Sequence, residues 1–231
     1  IELLIDAKCY TKEKMLNYIC RQDSYFLTEG KDLLNQEFSG EFSTYFSIMQ
    51  VIAAGKTKRS EIDSTLHKDM GTYLQNLENK SELICLMKPL LAKQNGKVTA
   101  YEIHDNFLRF WFRFIYPYQS LIERNLFSLL RSNITSNYEG FTGRTLERYF
   151  QDKVMETEQF TQVGNWWDRK GQNEIDLIAI NEFEHSGIVA EIKRNPHKIS
   201  MTKLQEKIEV LPKKDFGEYK LQAMAFSLED M

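Results

Sequence analysis

Apolar positions along the chain change period partway through. Between residues 41 and 80 they recur at helical spacing. "FSTYFSIMQVIAAG" sets Tyr45, Ile48, Met49 and Ile52 on one face and stops at Gly55, a residue suited to a helix C-terminus. "KRSEIDSTLHKD" offers Ser60 as a helix start with Ile62 and Leu66 on one side, and "MGTYLQNLENKSELI" turns Tyr73, Leu74 and Leu77 inward. "LICLMKPLLAKQNGKVTAYEIHD" then reads as two strands around a turn at Asn95-Gly96. Three helices followed by a β-hairpin predict a winged helix-turn-helix over 41–105. Before it, "TKEKMLNYIC" and "KDLLNQEF" predict short helices with polar joints, a helical arm over 1–40.

"YEIHDNFLRFWFRFIYPYQSLIERNL" predicts a mostly apolar helix that ends near Pro117 and restarts, giving bridging helices over 106–136. Arg109 and Arg113 lie one turn apart on it among aromatics. That pattern reads as a helix buried between two domains, with an arginine pair for phosphate as the alternative. From 137 onward the order becomes helix (139–157), strand (161–168), strand (173–181), strand (187–193), helix (200–211) and strand (218–227). The second helix has a start signal at Thr202, with Gln205 three residues on, and Leu204, Ile208 and Leu211 along one side.

Composition narrows the class. The 231 residues are 42% hydrophobic and 27% charged, enough for one or two domains with real cores. The longest apolar run, 107–116, carries two arginines and falls short of the roughly 20 residues that span a bilayer. No signal-peptide pattern follows Ile1, and a first residue other than Met points to an upstream region. Cys9, Cys20 and Cys85 are too few and too scattered for a disulfide framework or a zinc site, which suits a reducing cytoplasm. The formal charge is −3, with 17 basic and 17 acidic residues in 1–140 and 13 and 16 in 141–231. Nucleic-acid binding must therefore rest on local patches.

"AAGKT" at 53–57 imitates a phosphate loop. The motif needs a glycine five positions before the Gly-Lys pair, where Gln50 stands, and a preceding strand where a helical period runs. It reads instead as a helix end followed by a basic turn.

"NEIDLIAINEFEHSGIVAEIKRN" (173–195) carries the candidate chemistry. Alternation puts Glu191 and Lys193 on one face of their strand and Asp176 with Glu174, Ile178 and Ile180 on a face of the preceding one. If the two strands pair as a hairpin, Asp176 stands beside Glu191. Neighbouring carboxylates repel unless a cation sits between them. Mg²⁺ suits a few oxygen ligands completed by waters and a phosphate, and a lysine beside it can orient or activate a water for phosphodiester hydrolysis. Glu-x-Lys in a strand also reads as a surface ion pair on an edge strand. The acid in the neighbouring strand, and Glu147 in the preceding helix, add to the first reading.

"GRTLERYF", "NEIDLIAI" and "VAEIKRN" resemble the PD-(D/E)xK nuclease superfamily over roughly 139–227. The resemblance implies Asp176 and Glu191 as metal-binding acids, Lys193 as catalytic lysine and Glu147 as the acid on the first helix that supports the metal; Ile175 stands where the family usually has Pro. With "YFSIMQVIAAGKTKRSEI" and "YEIHDNFLRFWFRFIYP", the chain is also similar to the C-terminal half of archaeal-type AAA-superfamily ATPases. There a winged helix and a nuclease-like domain of uncharacterised role follow the ATPase module. This implies an upstream ATPase domain as partner, ATP as a cofactor of that domain alone, and 1–40 as the tail of its lid.

The expected fold is then a multidomain α+β and α/β chain: helical arm and winged helix-turn-helix, then a restriction-endonuclease-like αβββαβ domain over 137–231. The expected function is a Mg²⁺- or Mn²⁺-dependent nuclease that binds DNA, with Lys56, Lys58, Arg59 and Lys68 as candidate phosphate contacts. That basic run also reads as a solvated face, since Glu61 and Asp63 sit inside it. The alternative function is a non-catalytic nucleic-acid or protein interaction module regulating the ATPase. It is supported by the acidic balance of the second half, which opposes a polyanion in the absence of metal.

Overall fold

Local capping and apolar spacing produce a chain of short helices first. The structure, a computed structural model, describes residues 2–37, 42–93, 96 and 98–231, with 35–37 as backbone alone. The expected junction at 40–41 and Asn95 of the expected turn lie outside the described residues. Helices α1 (Glu2–Asp6), α2 (Lys12–Ile19) and α3 (Glu29–Glu37) are followed by α4 (Phe42–Ala53), α5 (Arg59–Leu66) and α6 (Gly71–Asn79). Strands β1 (Ile84–Met87) and β2 (Ala100–Ile103) pair antiparallel with Ile84 opposite Ile103. Then come α7 (Asn106–Phe114), a 3₁₀ turn at Tyr116–Tyr118, α8 (Gln119–Glu123) and a long α9 (Phe127–Met155). The remainder is β3 (Gln162–Trp167), β4 (Glu174–Asn181), β5 (Ser186–Ile192), α10 (Met201–Glu209), α11 (Lys213–Phe216) and β6 (Lys220–Phe226).

Packing divides the chain into two units: Ile1–Met87 with Ala100–Ser136, and Lys88–Thr99 with Asn137–Met231. In the first unit, Asp105 caps α7 by accepting from the Leu108 N–H at 2.7 Å. The helix then buries Leu108, Trp111, Phe112 and Phe114. Phe46 of α4 stands edge-on to Trp111 and Phe112, and the Trp111 indole N–H donates to the Leu27 carbonyl at 3.2 Å. Arg109 is buried with its guanidinium 4.0 Å from the Glu102 carboxylate, which agrees with the structural reading of that arginine.

Four boundaries differ from expectation. The helix expected over 139–157 is the later part of α9, which starts at Phe127 and runs through the expected domain boundary at 136–137. The β1–β2 pair is not closed by a two-residue turn: residues 88–99 intervene and belong to the second unit, where Leu90 and Leu91 pack against its core. The helix expected to start at Ser60 begins at Arg59, because the Glu61 carboxylate accepts from the Lys58 N–H at 3.1 Å. The helix expected over 200–211, with its start signal read at Thr202, spans Met201–Glu209 and is capped instead by Ser200, whose hydroxyl accepts from the Lys203 N–H at 3.3 Å.

The second unit is built on a four-stranded sheet of order β3-β4-β5-β6, antiparallel except for the parallel β5–β6 pair. Period-two alternation gives the sheet two apolar faces. Ile178, Ile180 and Val189 pack with Leu204 of α10, Leu211 and Phe216. Leu177, Ala179, Ala190 and Ile192 pack with Leu146, Phe150 and Val154 of α9. A register shift between Gly164 and Trp166 bulges β3 at Asn165. Trp166 enters the core and Trp167 is half-buried.

Candidate functional site

The site grows from the antiparallel register of β4 and β5. Leu177 pairs with Ala190, which brings the neighbouring positions Asp176 and Glu191 to the same level. Both acids are buried, at 8% and 7% exposure. The Asp176 carboxylate accepts from the Ile192 backbone N–H at 2.8 Å, a contact from one strand onto the other that fixes its rotamer. Lys193, just past the end of β5, returns its ammonium between the acids, 2.8 Å from Asp176 Oδ2 and 3.5 Å from Glu191 Oε1. β5 lies between β4 and β6, so the pairing is an interior one, and the reading as a surface pair on an edge strand does not hold.

Glu191 has two further contacts. Its Oε2 accepts from the Ser200 N–H at 3.3 Å, and the Lys207 ammonium of α10 lies 3.9 Å from its Oε1. Burial works against the charge on Lys193. The hydrogen bond to Asp176 and the charges of Asp176, Glu191 and Glu147 outweigh it and hold the pKa above the ordinary lysine value.

Glu147 on α9 is paired with Arg144, one turn earlier, at 2.7 Å. Burial pushes its pKa up to about 7; Arg144 pulls it down, and the charges of Asp176 and Glu174 add to the rise. Arg144 also reaches the bulge: with the Asn165 amide oriented oxygen-first, that oxygen accepts from Arg144 Nη1 at 2.9 Å and Nη2 at 3.2 Å. Gln151, four residues beyond Glu147, donates to the Asp176 carbonyl at 3.0 Å. Arg144, Gln151, Lys207 and Ser200 were not singled out in the sequence. Arg144 and Gln151 were findable, because both share a helix face with Glu147 at spacings of three and four. For Lys207 the sequence carries no signal.

The donor set can be tested against a metal. Two carboxylates already share one cation, the Lys193 ammonium, so their oxygens converge on a cation-sized position. Hard oxygens with room for water suit Mg²⁺, which is ordinarily bound by one or two carboxylates rather than by an all-protein cage. Among the described residues no group of three or more His, Cys, Asp or Glu is arranged to hold a metal, so Glu147 does not complete a three-acid cluster with Asp176 and Glu191.

In the first unit, the four candidate phosphate contacts lie around α5. Lys56 follows Gly55, which has φ +96°, and its ammonium meets the Thr65 hydroxyl at 3.1 Å. Arg59 is engaged by Asp69 at 3.0 Å and Asp63 at 3.4 Å. Lys68 contacts the Tyr73 hydroxyl at 3.3 Å, and Lys58 is half-buried. A cavity of about 640 Å³ in the same unit, lined by Lys12, Leu16, Asn17, Arg131, Ser132 and neighbours, contains none of the expected site residues. No helix among the described residues is long and apolar enough to cross a membrane.

A family model, DUF234, described as archaea bacterial proteins of unknown function, matches residues 111–206, a span that includes Glu147, Asp176, Glu191 and Lys193. The chain is also similar to an uncharacterized protein, MJECL04, of Methanocaldococcus jannaschii, with 33% identity over 185 residues, covering 76% of this chain and 41% of that protein. The chain thus spans about two fifths of the curated relative it matches. No solved structure matches it.

Proposed function

We propose that the second unit is a Mg²⁺-dependent phosphodiesterase of the PD-(D/E)xK nuclease type, acting on nucleic acid, and that the first unit is a winged helix-turn-helix. One observation carries the reading. Asp176, Glu191 and Lys193, chosen from the sequence for their chemistry, meet at one buried point of the sheet. The element order around them, helix, three antiparallel strands, helix and a parallel strand, supports the endonuclease-like architecture. α4, α5 and α6 followed by the β1–β2 pair support the winged helix.

Asp176 and Glu191 would hold the metal, which supplies Lewis-acid polarisation of a phosphoryl oxygen and a bound water of lowered pKa. Asp176 is oriented by the Ile192 N–H and Glu191 by the Ser200 N–H. Lys193 must leave its place between the acids, and its ammonium is then free to hold the attacking water or the non-bridging phosphate oxygen. Lys207 can follow the charge of Glu191. Glu147, with a pKa near neutrality and a salt bridge to Arg144, can accept a proton from a water at its carboxylate or keep the Asp176 side of the site electrically balanced. An ATPase domain upstream in the same polypeptide would gate this activity; ATP belongs there, and the turn at Gly55-Lys56-Thr57 lacks the loop that cradles phosphates.

The test is cleavage of plasmid, single-stranded DNA and RNA with Mg²⁺ or Mn²⁺, alongside direct Mn²⁺ binding. Asp176→Asn is expected to lose metal and cleavage together. Lys193→Ala is expected to keep Mn²⁺ binding, since its ammonium no longer competes, and to lose cleavage by orders of magnitude, as one aimed cationic donor is worth roughly 3 kcal/mol in a transition state. Equal cleavage by wild type and Lys193→Ala would sink the mechanism. No cleavage by any form, tested with the full-length polypeptide and ATP, would favour the interaction module.

A further inference from the structure

The cations expected to meet phosphate were all in the first unit, and a second group stands in the second. In the first, Arg59 is held by two aspartates, Lys56 and Lys68 meet only the Thr65 and Tyr73 hydroxyls, and Lys58 makes no ion pair among the described residues. In the second unit, the β3–β4 turn presents Arg169 and Lys170 to solvent, and neither makes an ion pair among the described residues. The one acid in that turn is consumed by its backbone. Asp168 accepts from the Gln172 N–H at 3.0 Å, the Asn173 N–H at 3.1 Å and the Asn173 side chain at 2.8 Å. Those backbone bonds hold its pKa below the usual carboxylate value. Gly171, at φ +69°, completes the turn. The result is an ordered turn with two free cations at its tip.

Topology places that turn beside the acids. β4 leaves the turn at Glu174, and Asp176 follows after about 7 Å of strand. β5 runs antiparallel to β4, so its C-terminal end, with Glu191 and Lys193, lies at the same edge of the sheet. The chain there continues into the 3₁₀ turn Pro196–Lys198 and the first turn of α10, where exposed Lys198 and Lys203 also make no ion pair among the described residues. Arg194 is engaged by Thr142 at 2.9 Å and by the Tyr138 ring, so it does not count among the free cations. Glu174 is an exposed acid at this edge, and because β6 runs parallel to β5 its C-terminal end brings exposed Glu229 and Asp230 there too, the Asp230 carboxylate being taken by the Ser227 N–H and hydroxyl.

We infer that this edge of the second unit is the nucleic-acid track, with Arg169 and Lys170 gripping backbone phosphates on one side of the Asp176–Glu191 pair and Lys198 and Lys203 on the other. Four unpaired cations around a neutralised acidic centre attract a polyanion to the place where the chemistry would occur, although the chain as a whole is acidic. The inference rests on the proposed nuclease reading only for what happens to the phosphate between them; the binding itself does not require cleavage.

The experiment uses the whole chain in EDTA, with a fluorescein-labelled oligodeoxythymidine, a duplex and an oligouridine as probes, titrated by anisotropy over a range of salt. Arg169→Ala with Lys170→Ala, and separately Lys198→Ala with Lys203→Ala, are each expected to weaken binding about tenfold or more at low salt. Each pair should also reduce the slope of log affinity against log salt by roughly 1.4–1.8, two phosphates' worth. Thermal unfolding should not move, because these side chains hold nothing. Lys56→Ala, Lys58→Ala and Arg59→Ala together should change affinity less than twofold. Rim variants that bind like wild type, or a loss confined to the first-unit triple, would overturn the inference. So would poly-L-glutamate competing as well as nucleic acid, which would assign the edge to an acidic protein partner. Rim-dependent binding without any Mg²⁺-dependent cleavage supports the track and refutes the nuclease. Cleavage that is indifferent to the rim does the reverse.

Discussion

Asp176 and Glu191 have one ammonium between them, and much of the site's behaviour follows from that. Removing it leaves two carboxylates at about 9% side-chain exposure facing each other. A fully buried pair broken in this way costs about 3–5 kcal/mol. Lys193 is 35% exposed and Asp176 keeps its backbone donor, so Lys193→Ala should cost less, about 1–3 kcal/mol in EDTA by urea unfolding. Saturating Mn²⁺ should narrow the gap to wild type, because a divalent ion bound to the folded state replaces the lost cation. A gap indifferent to Mn²⁺ would count against a two-carboxylate metal site. Glu147 gives a pH-dependent counterpart. Its pKa is raised from 4.5 to about 7, so the folded state holds its proton more tightly than the unfolded chain does. The stability it contributes is complete below the unfolded value and is lost as pH rises through the folded one. Glu147→Gln should therefore give a flatter melting-temperature profile than wild type from about pH 5 to about pH 8, with the relative gain at the alkaline end. Parallel profiles would show that Glu147 ionises normally.

At the scale of the element, β5 is constrained from both sides. Gly187 pairs with Ile180 and Leu221, and a Cβ there would sit 2.5 Å from the Ala179 carbonyl oxygen and 3.1 Å from Leu221. The obstacle is backbone, which cannot swing aside. Gly187→Ala is expected to cost about 1–3 kcal/mol by thermal unfolding. Gly164→Ala on β3 would meet only Leu90, at 3.4 Å, an ordinary contact, and should stay within about 0.5 kcal/mol. Equal effects at the two glycines would mean that the central strand is looser than its pairing implies. Helix starts also belong to this scale. Both α5 and α10 begin earlier than the nearest Ser or Thr signal inside them because a neighbouring side chain supplies the cap: Glu61 for α5, Ser200 for α10.

At the scale of the molecule, residues 88–99 separate the two strands of the first unit yet belong to the second. The Leu90 N–H donates to the bulged Asn165 carbonyl at 2.8 Å, and its side chain packs with Leu91 on the core beneath Trp166. Leu90→Asp would put a charge on that apolar contact and should destabilise the second unit by about 1–3 kcal/mol. Hydrogen exchange should then quicken in β3–β6 while α4, α5 and α6 keep their protection. Faster exchange in the first unit alone would show that this segment belongs there instead.

The order and kind of the elements were legible in the sequence because apolar period reports which side of a helix or strand is buried, and that is a local property. The same alternation, with a hairpin between two strands, was enough to bring Asp176 level with Glu191, since register propagates residue by residue. What lies between the acids was decided only in three dimensions. That the cation is the ammonium of Lys193, that Lys207 approaches from α10, and that Arg144 ties Glu147 to the Asn165 bulge depend on how far side chains reach across packed layers. The destination of 88–99 was equally hidden: the Asn-Gly signal describes how a turn can be made, whereas burial of Leu90 and Leu91 on a distant core determines where the segment goes. The same holds for the basic residues. Their sequence marks them as charged, and only the fold shows which of those charges are already taken.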